Sequence, residues 1–347
     1  MVVVGYTDGA GYFISYFVAV FKRLFDKQRV VFAENPPANP DLLIYSVFGD
    51  RHKRYTCKKV LVSGEPTTTI GKLADLLLDC KDVVGLRSHD VPMAYLPFYV
   101  LSFEERWQNR PEDLLKTPDF ATRTAPTKTK FCAFLYSKEV EFRNRLFDAL
   151  SRQKQVDALG KARNVHKTRT DRGAYRPGHY SYNDLAVRHY RPYKFVIACE
   201  NTRLPGYVTE KVVSAMLAGA IPIYLGAPDI AEHFNPRAMI CVGDFANWHE
   251  ACNYVMEVDQ NEDLYRQILS EPWLPANRLT AWFDSLQVVG PALKTLLDSP
   301  GPPVSQPRRV QPGPVLSLKS AGARKRRLRL LNRAGLHATV HGRRLTK

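Results

Sequence analysis

Residues 194–230 read KFVIACENTRLPGYVTEKVVSAMLAGAIPIYLGAPDI. The apolar run from Tyr193 to Glu200 has the length and continuous hydrophobicity of a strand covered on both faces. A polar turn containing Pro205 and Gly206 follows, then a helical segment from Thr209 to Gly219 and a second apolar run through IPIYLG. Strand, helix, strand in this order implies a parallel sheet. Open sheets of that kind bind ligands outside the carboxyl ends of their strands, so the residues directly after each strand are the informative ones. Here they are Glu200, Asn201 and Thr202. Glu210 and Lys211 fall in the first helical turn, where unpaired backbone N–H groups and the helix dipole favour an anion. A lysine at that end is disfavoured by roughly a few tenths of a kcal/mol. A bound diphosphate removes the conflict and makes Lys211 its compact counter-charge.

The alternation extends in both directions. Upstream, KFCAFLYS (Lys130 to Ser137) reads as a strand and the segment near Glu139 to Gln153 as the helix after it. Arg143 then stands at the helix start, where a guanidinium adds forked hydrogen bonds to the same anion. Downstream, AMICV reads as a short strand. The first 63 residues follow the same logic: a strand at VVVG, an apolar helical stretch from Gly9 to Phe21, then apolar runs in RVVFAE, DLLIYSVFG and KKVLVSG. Their strand-end residues include Tyr6, Thr7, Asp8 and, in VSGEP, Glu65. Between Asn109 and Lys130 the chain turns polar around Pro111, Pro118 and Pro126, the composition of a linker. The expected class is α/β, with one Rossmann-like domain over 1–122 and a second over 123–298, facing across a cleft. A Pro-rich spacer and basic tail occupy 299–347.

The 347 residues carry 50 Lys and Arg against 34 Asp and Glu, a formal charge of +16. Such an excess is the usual footprint of a phosphate-backbone partner, but its distribution points elsewhere. Residues 301–347 hold 12 basic residues and no acidic one, which leaves the first 300 at +4. No nucleic-acid partner is expected, and an RNA-binding protein using the tail is the rival from another class. In ARKRRLRLLNRAGL, Leu328, Leu331 and Ala334 fall at helical spacing, so 319–347 read as a basic amphipathic or disordered tail suited to an anionic membrane surface. The stretch from Lys154 to Arg176 is a second basic run, read as a loop that closes over a ligand. No segment reaches the roughly 20 apolar residues a membrane span needs. Six scattered cysteines without a CxxC pair read as free thiols in a reducing compartment. The start MVVVGYTDG lacks a basic n-region, and the expected location is cytoplasmic, peripheral to a membrane.

Taken together, ENTRLPGYVTEK with its helix, IPIYLGAP and HFNP resemble the signature of the α1,3-fucosyltransferases, glycosyltransferase family 10, especially their soluble bacterial-type members. VSGEP and FRNRLFDAL (Phe142 to Leu150) are similar to two further stretches of that family. The resemblance implies a GT-B fold and inverting transfer of fucose from GDP-fucose to a glycan hydroxyl, α1,3 to the GlcNAc of an N-acetyllactosamine-like acceptor. Carried over residue by residue, it implies Glu65 as the general base and Arg143 and Lys211 on the diphosphate. Asn201, Tyr207 and Glu210 fall in the donor site, and Asp8 is the next carboxylate in line should Glu65 not be the base. No metal site is expected, since there is no Asp-x-Asp pair and His337 and His341 stand without a third ligand. No cofactor is required on this reading, and stimulation by Mn²⁺ stays open. A GT-B transferase using another nucleotide sugar is the rival within the fold.

Overall fold

The computed structural model describes residues 1–25, 29–66, 74–80, 91–103, 109–163, 182–300 and 303. Two expectations lie outside them: the amphipathic tail of 319–347 and, beyond residue 163, the closing loop.

The first half runs β1 (Val2–Thr7), α1 (Ile14–Leu24), β2 (Val30–Glu34), β3 (Leu42–Ser46), β4 (Lys58–Ser63), β5 (Leu76–Asp79) and β6 (Met93–Tyr95). The six strands pair in parallel in the order β2-β1-β3-β4-β5-β6. Every residue of β3 is buried, which is why that segment is continuously apolar. The chain starts inside the sheet, steps out to β2, and returns to the other side of β1. That reversal makes the gap between the carboxyl ends of β1 and β3 a topological switch point.

The second half continues with α2 (Phe120–Thr124), β7 (Lys130–Phe134), α3 (Glu141–Ser151), β8 (Val156–Ala158), α4 (Tyr182–Tyr190), β9 (Tyr193–Cys199), α5 (Glu210–Leu217), β10 (Ile221–Leu225), β11 (Ile240–Cys241), α6 (Trp248–Gln260) and α7 (Glu262–Ser270). Its five strands are also parallel, in the order β11-β10-β9-β7-β8, so its switch point lies between β7 and β9. The strand expected in AMICV shrinks to two residues because short 3₁₀ turns at Pro236–Ala238 and Val242–Asp244 flank it. The two sheets with their helices form the GT-B-like pair of Rossmann domains.

Two segments behave differently from their composition. The polar stretch 109–130 is packed, because its lysines serve as helix caps. Lys116 Nζ donates to the carbonyl of Leu269 at 2.7 Å and to that of Glu271, while lying 3.2 Å from the Trp273 ring centre. Lys128 Nζ donates to the carbonyls of Arg191 and Ala218, both at 2.7 Å. The ends of α7 and α5 thereby gain partners for otherwise orphaned carbonyls. The last helix, α8 (Ser285–Asp298), returns to the first half and packs on α1, β5 and β6. Lys58 Nζ donates to the carbonyls of Leu296 and Ser299 at its end, and Arg23 pairs with Asp284 at its start, 2.8 Å away.

Candidate active site

Between the carboxyl ends of the two sheets lies a cavity of about 530 Å³, a size typical of small-molecule sites. Both switch points open into it. Gly9, Tyr12, Ser46 and Phe48 come from the ends of β1 and β3, and Tyr136, Ser137, Lys138 and Asn201 from the ends of β7 and β9. Glu65, Arg143, Asn201, Tyr207, Glu210 and Lys211, the six residues singled out in the sequence, all line this one cavity.

The second half supplies its cations. Arg143, in the first turn of α3, is 1% exposed, with its guanidinium 3.8 Å from the Tyr136 ring centre. Its Nη2 donates to the Glu200 carbonyl at 2.9 Å and to Asn201 Oδ1 at 2.7 Å, so the Asn201 side chain anchors the arginine instead of its own turn. Glu200 is fully buried, and its carboxylate accepts from the Thr209 N–H and O–H, both at 2.8 Å, and from Lys211 Nζ at 3.1 Å. Glu210 lies 3.6 Å from the same ammonium. The sequence reading leaves the lysine at the start of α5 to be balanced by a diphosphate. Instead, the chain's own Glu200 carboxylate sits at that helix end and balances it. Burial alone would lower the pKa of Lys211, but the Glu200 and Glu210 carboxylates reverse this and hold the ammonium above its ordinary value. Lys211 remains 15% exposed at the cavity wall.

The first half supplies a carboxylate. Glu65 follows β4 in the turn after Gly64, and a methyl group at Gly64 would lie 2.2 Å from the Phe98 ring. Glycine is therefore required for Phe98 to close under the turn that carries Glu65. Asp8, the other carboxylate considered, has a side chain only 2% exposed and does not line the cavity. Its oxygens accept from the backbone N–H groups of Arg51 and His52, at 3.0 and 2.9 Å, and pair with His52 Nδ1 at 2.7 Å. Tyr207 is 1% exposed, and burial, followed by the charges of Glu200, Glu210 and Glu65, pushes its phenol pKa well up, so it stays protonated. Among the described residues, no group of three or more His, Cys, Asp or Glu clusters as a metal site.

One linkage is not foreseen in the sequence. The Tyr95 hydroxyl donates to the Gly206 carbonyl at 2.8 Å, so its oxygen is left to accept from His233 Nε2–H at 3.2 Å. Nδ1 of that ring then accepts from the Tyr99 hydroxyl at 3.2 Å, and burial lowers the His233 pKa, which keeps the ring neutral. The Gly206 N–H donates to the Asp229 carboxylate, 2.8 Å from its nearer oxygen. The turn before α5 is thus pinned from β6. Tyr95→Phe keeps the ring and deletes both of these hydrogen bonds; the expected result is faster amide exchange at Gly206 to Val208, with a melting temperature lower by about a few degrees because the buried His233 N–H loses its acceptor. Unaltered exchange there would remove Tyr95 from the account. HFNP carries His233, but nothing in its spacing points to tyrosines far upstream.

Residues 125–280 match the model for the glycosyltransferase family 10 (fucosyltransferase) C-terminal region. The match is confined to this segment. Residues 125–280 contain five of the six residues singled out in the sequence, all except Glu65. A protein of Acanthamoeba polyphaga mimivirus named as a fucosyltransferase is 33% identical over 250 residues, which is 72% of this chain and 39% of that protein. The α-(1,3)-fucosyltransferase FucT of Helicobacter pylori is 33% identical over 148 residues, 42% of this chain and 28% of that enzyme. The chain thus spans well under half the length of these two relatives. The family 10 region and the half before it share their fold with a crystallised α1,3-fucosyltransferase at a TM-score of 0.62 and 21% identity, over 88% of this chain and 92% of that one. A form of α1,3-fucosyltransferase crystallised with GDP-fucose aligns at a TM-score of 0.57 and 21% identity, over 86% and 91%.

Proposed function

We propose that the chain transfers fucose from GDP-fucose to a glycan hydroxyl with inversion, α1,3 to the GlcNAc of an N-acetyllactosamine-like acceptor. The observation that carries this reading is the division of one cavity into a wall that carries Lys138, Arg143 and Lys211 beside Glu210, and an opposite wall whose charged residue is Glu65. The names of the family 10 relatives support the donor. In a single displacement, the acceptor oxygen forms a bond to the anomeric carbon of fucose while the bond from that carbon to the diphosphate oxygen breaks. Glu65 takes the hydroxyl proton, and GDP departs with the bonding electron pair. The sugar passes through an oxocarbenium-like state, as in glycoside cleavage. Negative charge grows on the diphosphate as it leaves, so cations already held in place lower the barrier more than they tighten the ground state. Asn201 fixes Arg143, while Tyr207 and Glu210 complete the donor wall.

On this reading Arg143 and Lys211 supply the positive charge that a divalent ion supplies elsewhere, and Mn²⁺ acts at most as a stimulant. Transfer assays with a panel of nucleotide sugars, with and without EDTA, test both points. Transfer from GDP-fucose that survives EDTA is the expected outcome, and preference for a UDP-sugar would replace the donor. For residues 319–347 we infer an anionic membrane surface as partner. Full-length chain should sediment with phosphatidylserine vesicles and lose this on deletion of those residues. Tight, steeply salt-dependent RNA binding lost by the same deletion would favour the rival instead.

A further inference from the structure

The second sheet's switch point accounts for the donor wall. The first sheet has a switch point of its own, opening into the same cavity. Its rim carries Tyr12 and Phe48, which are 53% and 56% exposed. Among the described residues, only Met1 and Leu279 are large apolar side chains of comparable exposure. The rim is held rigidly. Asp8 adopts a left-handed backbone (φ 51°) and ties the loop after β1 to the loop after β3 through Arg51, His52 and the Ser46 hydroxyl, which donates to the Asp8 carbonyl. Gly49 has φ +94°, and a methyl group there would lie 2.6 Å from Asp8 Oδ1. Gly9, at φ +84°, lets Phe48 lie across it, since a methyl group would sit 3.3 Å from that ring. A buried Asp–His pair is a demanding way to stabilise a surface loop. Here it holds two half-exposed aromatic side chains that line the cavity together with Glu65.

We propose that Tyr12 and Phe48 form a platform for the acceptor sugar, stacking on the C–H face of a neutral pyranose and turning its hydroxyl edge toward Glu65. This deepens the acceptor side of the proposed function and rests on it. Pyranose rings are amphipathic, with hydroxyls at the edge and C–H groups on the faces, and the negative face of an aromatic ring attracts the latter. Charge selects the class of ligand. Among the described residues that line the cavity, Lys138, Arg143 and Lys211 all belong to the second half, and Glu65 is the charged residue of the first. An anionic acceptor therefore finds no counter-charge on the platform side.

Saturation-transfer NMR of the full-length protein with GDP and N-acetyllactosamine reads this contact without requiring turnover. Strong transfer to the sugar C–H protons is expected in the unaltered protein, with loss in Tyr12→Ala and Phe48→Ala and retention in Tyr12→Phe and Phe48→Trp. In transfer assays each alanine variant should raise the acceptor KM by about tenfold while the Kd for GDP is unchanged. Equal saturation in all variants, or none in the unaltered protein, overturns the platform. Saturation that follows this pattern without fucose transfer to any glycan would overturn the proposed reaction and leave the platform standing.

Discussion

Glu65→Gln is expected to lower turnover by about 10²- to 10⁴-fold, the usual contribution of a positioned base, with the Kd for GDP within about twofold of its original value. The amide has the size and shape of the carboxylate, so the turn over Phe98 and Gly64 keeps its packing, but it cannot take the acceptor proton. Donor affinity should survive because Arg143, Asn201 and Lys211 are positioned by the other sheet and bond to one another or to Glu200 and Glu210. Steady-state kinetics with saturating GDP-fucose, together with calorimetric titration of GDP, check the two halves of this expectation. Undiminished turnover would remove Glu65 as base. Asp8 would be a poor replacement, because its carboxylate is enclosed by His52 and two backbone N–H groups away from the cavity.

That Glu65, Arg143 and Lys211 are legible from the sequence follows from topology. Each lies just past a strand or at the start of the helix after one, and parallel sheets bring such positions to one edge whatever the details of packing. Strands such as Leu42–Ser46 are equally legible because burial on both faces leaves no alternation to misread. The remainder depends on partners far apart in the chain. Lys116 and Lys128 look like linker residues until the carbonyls they cap, at Leu269, Glu271, Arg191 and Ala218, come alongside. Helix α8 reads as part of the second half because nothing local shows that Lys58 will receive its end. Tyr12 and Phe48 stand among other aromatics, in GYFISYF and IYSVF, and only their exposure on a braced rim sets them apart.

Glu200→Ala is expected to destabilise the fold by about 3–5 kcal/mol, the range for removing one partner of a buried ion pair. The loss has three parts: Lys211 keeps Glu210 as its one carboxylate and Thr209 Oγ1 as an acceptor, and the Thr209 N–H and O–H lose the acceptor that closes the start of α5. Denaturant titration measures it. Glu200→Gln separates charge from shape, since its amide oxygen can still accept from Thr209. The folded-state pKa of Lys211 lies above its ordinary 10.5. Its contribution to stability is therefore complete below that value and is lost as pH rises through the higher folded value. With the Glu200 charge gone, burial pulls the folded pKa down against the Glu210 carboxylate, so this alkaline loss should shrink, and it turns into a gain once the folded value falls below 10.5. Stability curves from neutral pH to about 11 for the two proteins should therefore converge, as the unaltered protein loses the stabilisation its charged lysine supplies. Parallel curves would mean that Glu210 alone keeps the ammonium charged and that the 3.1 Å pair with Glu200 orders the loop without setting its charge.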